Sequence, residues 1–403
     1  MNGKRVHRKA ILAGEILTPE RIISDGYLLI EGDRLVEVGR VTEGLPTDCR
    51  VFDASSHRVT PGLIDLHLHG AMGHNVMGPG LTAVAEELPK HGVTSFLPTT
   101  LTADAATVHA ALGQMAGAIL QPSEGARPLG IHLEGPHLSP RKAGMAAARH
   151  FRPLTAETWR DLRAAAKRSI KMLTFAPEEG DAMQLIPRLI GEGVVPSIGH
   201  SVATFEQVTA MVELGLRHAS HMFNAMGPFH HRAPGVVGAV LYHREIVAQL
   251  IADLHHVHPA AMALLFRLKG ADHVALVSDA APVAGLPPGA YDWDAETRVI
   301  VGEDGTCRLP DGTLAGATSL LHQNVANLVR AVGLGWPEAL QTATAVPGEA
   351  LDVRRGRLRA GWMADVVVWG ADFQPVATMV EGRWVWRTDG GASVAAGAGA
   401  VHR

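Results

Sequence analysis

The chain has 403 residues, and its 36 Lys+Arg against 40 Asp+Glu give a formal net charge of −4, which excludes the basic excess of a typical nucleic-acid-binding protein. Hydrophobic residues make up 47% and charged residues 19%, so wholesale disorder is excluded and a large buried core is expected. Two cysteines, Cys49 and Cys307, exclude a disulfide scaffold or a Cys-rich zinc site. The apolar run 10–14 stops at Glu15, short of the roughly 7–15 residues of a secretory signal. No stretch approaches the ~18 apolar residues of a membrane span. A cytoplasmic protein with neither nucleic-acid nor membrane partners is expected.

Residues 1–57 read as short strands: 27–30 and 35–38 flank Glu31-Gly32-Asp33-Arg34, a hairpin signal with Gly in the loop. The far end has the same character, with apolar runs at 365–369, 376–380 and 384–386. One small β domain built from 1–57 and 352–387 is expected, with a Gly/Ala-rich disordered tail over 388–403. Between them, 58–351 alternates apolar runs with helix-compatible stretches. The runs are 63–69, 95–99, 129–134, 170–176, 194–200, 217–224, 246–253 and 274–279; helices are expected over 103–120, 156–166, 181–191 and 259–269. Continuous apolar strands alternating with helices predict parallel βα units. Eight of them predict an α/β fold of the (β/α)8, TIM-barrel type. An open doubly wound sheet is the alternative, weakened by the absence of a Gly-rich dinucleotide fingerprint after the first strand.

Polar groups close several of these apolar runs. A buried polar group is costly without a partner, and in a barrel the strand C-termini are where active sites form. The first run ends in His67-Leu68-His69, the third in His132-Leu133-Glu134, the fifth in Gly199-His200 and the eighth in Ser278-Asp279; the sixth carries His218 and His221. Residues two apart on a strand share a face, so His67 and His69 can grip one object. A single buried histidine is more often just hydrogen-bonded, and His7, His57, His91, His109, His150, His243 and His322 are read that way, with His230, His231 and His255 left open. Imidazoles and carboxylates arriving from five strands instead predict a site for Zn2+, Fe2+, Co2+ or Mn2+.

The string Pro61-Gly62-Leu63-Ile64-Asp65-Leu66-His67-Leu68-His69-Gly70 resembles the opening barrel strand of the amidohydrolase superfamily. With His132-Leu133-Glu134-Gly135-Pro136, Gly199-His200-Ser201 and His221-Met222-Phe223-Asn224-Ala225-Met226, the chain resembles the N-acetylglucosamine-6-phosphate deacetylase family over nearly all of 1–387. The resemblance implies a small β-sandwich formed by both termini. It implies Glu134, His200 and His221 as main metal ligands and Glu134 at the bridging position. His67 and His69 would complete a second site, giving one or two divalent metals per subunit, zinc first among them. It implies Asp279 as general acid/base. Met145, Asn224, Ala225, Leu314, Ala315 and Gly316 would contact the sugar, and Arg232 and His256 the phosphate. A homodimer is implied, the partner subunit contributing to the phosphate site. The implied reaction is hydrolysis of the acetamido group of N-acetylglucosamine 6-phosphate, in amino-sugar catabolism or cell-wall recycling. The alternatives are a deacetylase of a related sugar such as N-acetylgalactosamine 6-phosphate, a cyclic-amide hydrolase or purine-type deaminase on the same scaffold, and a catalytically silent sugar-phosphate binder. One stretch departs from the family pattern: where a Gly-Ala-His turn is common, 142–150 places Ala146 at the histidine position. Arg149 and His150 are the nearby side chains that could substitute, a choice the sequence leaves open.

Overall fold

The computed structural model describes residues 8–44, 49–294, 296–388 and 394–395. All eight apolar runs of the middle segment carry strands: Leu63–Leu68, Val93–Pro98, Ile131–Glu134, Ile170–Phe175, Val195–Ile198, His218–Ala219, Val247–Ile251 and Val274–Val277. The third to eighth pair in sequence order as a curled parallel half-barrel. The first pairs with the second, also in parallel. Parallel bridges Thr99–His132 and Leu68–Ala280 link these two strands to both edges of the six. The second strand therefore meets the third and the eighth returns to the first, which an open sheet would not do.

The expected helices form over Ala105–Ile119, Ala156–Ala165, Ala182–Gly191 and Pro259–Lys269. Their starts follow local chemistry. Asp104 accepts the backbone N–H of Thr107, and Thr155 and Thr204 accept those of Thr158 and Gln207. Apolar side chains fill both faces of the strands. One cluster packs strands on helices, and a second, with Ile64, Leu66, Met172, Ile251 and Val277, fills the interior. Burial on both faces is why these strands read as continuous apolar runs rather than alternating ones.

Both termini build one eight-stranded sheet. Its central strand, Cys49–Pro61, runs parallel to Arg8–Leu17 on one side and antiparallel to Val366–Trp369 on the other, and so ties the two ends together. The hairpin around Gly32 joins Ile22–Glu31 to Arg34–Arg40, and Pro375–Val380 and Arg383–Arg387 extend the sheet. Of the tail expected to be disordered, Thr388 is described and Val394–Ala395 pairs with Cys49–Pro61; the rest lies outside the described residues. No helix among the described residues is long and apolar enough to cross a membrane.

Two features differ from expectation. The sixth strand holds only His218–Ala219, because the chain turns at once through positive φ at His221 (28°), Phe223 (78°) and Ala225 (50°). A three-stranded antiparallel insert, Gly289–Asp292, Arg298–Val301 and Cys307–Arg308, follows the eighth strand. Its strands are short and alternately exposed, with none of the apolar continuity that marked the others.

Candidate metal centre

Six side chains converge at the C-terminal ends of the parallel strands. Glu134 is at their centre. Its Oε1 lies 3.0 Å from His221 Nε2 and 3.3 Å from His200 Nε2. Its Oε2 lies 3.3 Å from His67 Nε2 and 3.4 Å from His69 Nε2. Asp279 Oδ1 closes the second group, 3.5 Å from His67 Nε2 and 3.2 Å from His69 Nε2. Glu134/His200/His221 and His67/His69/Asp279 each bring three ligand atoms within 4.8 Å of one another. One carboxylate thus faces two imidazole pairs, one pair per oxygen.

The backbone puts these groups there at some cost. His200, His221 and Asp279 each lie two residues past the end of a short strand and adopt φ of 48°, 28° and 51°, a region that non-glycine residues seldom occupy and that clusters at functional sites. Glycine is needed at two neighbouring positions. Gly135 has φ 70° and a Cβ there would sit 1.9 Å from Thr102 Oγ1; Gly144 has φ 60° and a Cβ would sit 3.2 Å from His200 Cε1.

The donor set fits a cation. His200 Nδ1 donates to the Lys142 carbonyl at 2.7 Å and His69 Nδ1 to that of Thr99 at 3.3 Å. A neutral imidazole that donates from Nδ1 carries a lone pair on Nε2. Those lone pairs point at the oxygens of a buried carboxylate, an arrangement that calls for positive charge between them. Burial would lower the pKa of His69, yet Asp279 and Glu134 lift it to about 10. Burial would raise Glu134, yet His67, His200 and His221 hold it well below the carboxylate range. Burial likewise opposes ionisation of Asp279, but His67 and His69 bring it to about 2.

The centre floors an open cleft. Of the expected substrate contacts, Met145, Asn224, Ala225, His256, Leu314 and Gly316 line it. Ala315 does not; it is fully buried behind the cleft wall in the cluster of the insert. Arg232 does not either; it is exposed, its guanidinium 2.8 Å from His231 Nε2. His256 is held by Asp253, Nδ1 to Oδ2 2.6 Å; burial would lower its pKa, and this carboxylate raises it instead. Ala146 lines the cleft and brings no imidazole. Neither proposed substitute reaches it: Arg149 pairs with Glu296 of the insert, and His150 lines a separate side cavity with His137 and Arg152. His132, near the site in sequence, is spent elsewhere, with Nδ1 2.8 Å from the Leu66 carbonyl and Nε2 2.6 Å from Thr174 Oγ1. Reasoning from sequence missed Thr102, Leu138 and Thr313 on the cleft wall. It also missed Trp293, whose ring centroid is 5.8 Å from that of His69. These residues carry no motif; only the fold brings them in.

The family model "Amidohydrolase family" matches residues 58–385. N-acetylglucosamine-6-phosphate deacetylase of Bacillus subtilis (strain 168) is 32% identical, over 91% of this chain and 94% of the relative. N-acetylgalactosamine-6-phosphate deacetylase of Escherichia coli O157:H7 is 34% identical, over 87% and 94%. A Mycobacterium smegmatis N-acetyl-D-glucosamine-6-phosphate deacetylase variant, solved in complex with N-acetyl-D-glucosamine-6-phosphate, superposes with a TM-score of 0.86 at 30% identity, over 94% of this chain and 99% of that one. With matches that span both the parallel-strand segment and the terminal sheet, the chain belongs to the amidohydrolase family and, within it, to the N-acetylglucosamine-6-phosphate deacetylases.

Proposed function

We propose that this chain hydrolyses the acetamido group of N-acetyl-D-glucosamine 6-phosphate, releasing acetate and D-glucosamine 6-phosphate, in amino-sugar catabolism or cell-wall recycling. The observation that carries the reading is the Glu134 carboxylate set between two imidazole pairs, with Asp279 beside it, on the floor of a cleft. Glu134, His200 and His221 would hold one divalent cation and His67, His69 and Asp279 a second. Histidine and carboxylate donors suit Zn2+ first, with Fe2+, Co2+ or Mn2+ as alternatives. Such an ion acidifies a water and polarises an amide carbonyl.

The chain's own residues do the rest. Asp279, ionised at neutral pH, takes a proton from the attacking water as its oxygen bonds to the acetamido carbon. When the C–N bond breaks, Asp279 hands that proton to the departing nitrogen, because an unprotonated amine leaves poorly. Asn224, Ala225, Met145, Leu314 and Gly316 would orient the sugar, with Ala315 supporting their loop from behind. His256, its positive form favoured by Asp253, would receive the phosphate. Arg232 does not reach its own cleft, which fits a homodimer whose partner subunit contributes to the phosphate site. We read the scaffold as a (β/α)8 barrel with a small β-sandwich from both termini, and the location as cytoplasmic.

The galacto epimer is the second reading, favoured by the 34% identity to the Escherichia coli enzyme and by Ala146 in the cleft wall. Acetate release by metal-quantified protein decides between them. The N-acetylgluco 6-phosphate should be turned over in preference to its galacto epimer and to unphosphorylated N-acetylglucosamine. Preference for the epimer would move the substrate and keep the chemistry. No acetate from any of the three, with metal bound, would refute the proposal.

A further inference from the structure

Among the parallel strands, the interior holds a buried amide that the chemistry above does not use. On the seventh strand, Val247–Ile251, alternate residues share a face, and Ile251 and Val247 pack in the apolar interior cluster. Gln249 lies between them in that alternation and is fully buried. An amide in such a place is costly unless both ends are satisfied. Its Oε1 lies 3.4 Å from His67 Nδ1, and its Nε2 donates to the Met172 sulfur at 3.1 Å. The sulfur accepts only weakly and cannot account for an amide here. A hydrophobic residue of the same volume would fill the space without that cost.

We propose that Gln249 is a positioning residue for the second metal subsite: by accepting from His67 Nδ1 it fixes the tautomer that turns the Nε2 lone pair toward Glu134 and Asp279. The proposal rests on the two-subsite reading above and adds what makes the His67/His69/Asp279 group competent. The geometry separates the subsites. His67 reaches Gln249, whereas His200 is oriented by the Lys142 carbonyl and His221 Nδ1 has no hydrogen-bond partner among the described residues. The backbone carbonyl of Gln249 accepts the Met222 N–H at 2.7 Å whatever its side chain, so a substitution there leaves the turn carrying His221 in place. Partners that orient a ligating histidine from behind are worth 10- to 100-fold in metal affinity by general experience.

The test is Zn2+ titration of the full-length metal-free chain, read as stoichiometry and stepwise affinity, for wild type, Gln249→Met and Gln249→Glu. Methionine keeps the length and volume and removes the acceptor; glutamate keeps an acceptor oxygen. Wild type should bind two equivalents. Gln249→Met should bind the first with unchanged affinity and the second about 10- to 100-fold more weakly. Gln249→Glu should restore the second. Two equivalents at wild-type affinity in Gln249→Met would overturn the positioning role, as would equal loss of the second in both variants. Should Gln249→Met not fold, Gln249→Glu alone decides: a second equivalent near wild-type affinity supports the role, and its loss overturns it. A wild-type chain that takes up one equivalent refutes the two-subsite reading itself, an outcome visible without either variant.

Discussion

Asp279 would face two demands at one oxygen under the proposed mechanism: it pairs with His67 and His69 and would also move a proton. Asp279→Asn keeps the shape and removes the basicity. The expected outcome is a fall in kcat of about 10²- to 10⁴-fold, with the ion at Glu134/His200/His221 retained, checked by steady-state acetate release alongside elemental analysis. Near-normal turnover would remove Asp279 from the proton path. Gly144 tests the opposite wall. Its φ of 60° and the 3.2 Å approach of a Cβ to His200 Cε1 leave no room for a branched side chain. Gly144→Val should lower affinity for the first metal equivalent, since the same segment supplies the Lys142 carbonyl that orients His200. Unchanged affinity would mean that the segment moves aside freely. At this scale the sequence is informative where a polar residue interrupts an apolar run: His67, His69, Glu134, His200, His221 and Asp279 all stand out that way. Gln249 also sits in an apolar strand, but a lone amide does not announce whether its partner is a backbone group or a ligand histidine. The carbonyls of Lys142 and Thr99 have no sequence signature at all.

Among elements, the eight parallel strands were legible because both of their faces are buried, leaving runs with no polar alternation. The insert after the eighth strand was not, because its strands are two to four residues long and expose every second side chain. It nonetheless shapes the cleft. Trp293, 4% exposed, packs with Val299, Val301, Cys307 and Ala315 and lies beside His69. Truncation of a buried tryptophan costs about 3–5 kcal/mol, so Trp293→Ala should unfold at clearly lower urea concentration, or the insert should open alone and show as hydrogen exchange confined to 289–308. Wild-type behaviour in both would mean that the cluster does not hold the insert. The contact between the insert and the segment carrying Met145 is of another kind. Arg149 and Glu296 are 62% and 70% exposed; water and salt screen such a pair, and Glu296→Gln should leave the unfolding midpoint where it is.

The whole molecule depends on how the terminal sheet sits on the parallel-strand segment. Cys49–Pro61 leads directly into the first parallel strand, and the turn Leu88–His91 docks on the sheet, where Thr378 Oγ1 donates to the Pro89 carbonyl at 2.7 Å. Behind this seam Arg355 pairs with Asp365 at 2.6 Å and with Glu381. His91 stacks there on His322, centroids 5.1 Å apart. Burial lowers His91 to about 4, with Glu87 opposing and Lys90 assisting; burial, with His91 assisting, lowers His322 to about 3. Both folded values lie below the ordinary histidine value of 6.5. Between pH 6.5 and about 4 the unfolded chain therefore binds protons that the folded chain refuses, and stability falls as the pH falls through that window. Above pH 6.5 both states are neutral and the pair contributes no slope. His322→Phe keeps a ring in the stack and removes one of the two titrations. Its unfolding free energy should lose less than wild type's between pH 7.5 and 4.5, by on the order of 2 kcal/mol, while the many carboxylates common to both proteins cancel in the difference. Parallel pH profiles for the two would show that these imidazoles gain protons, or water, without the seam resisting.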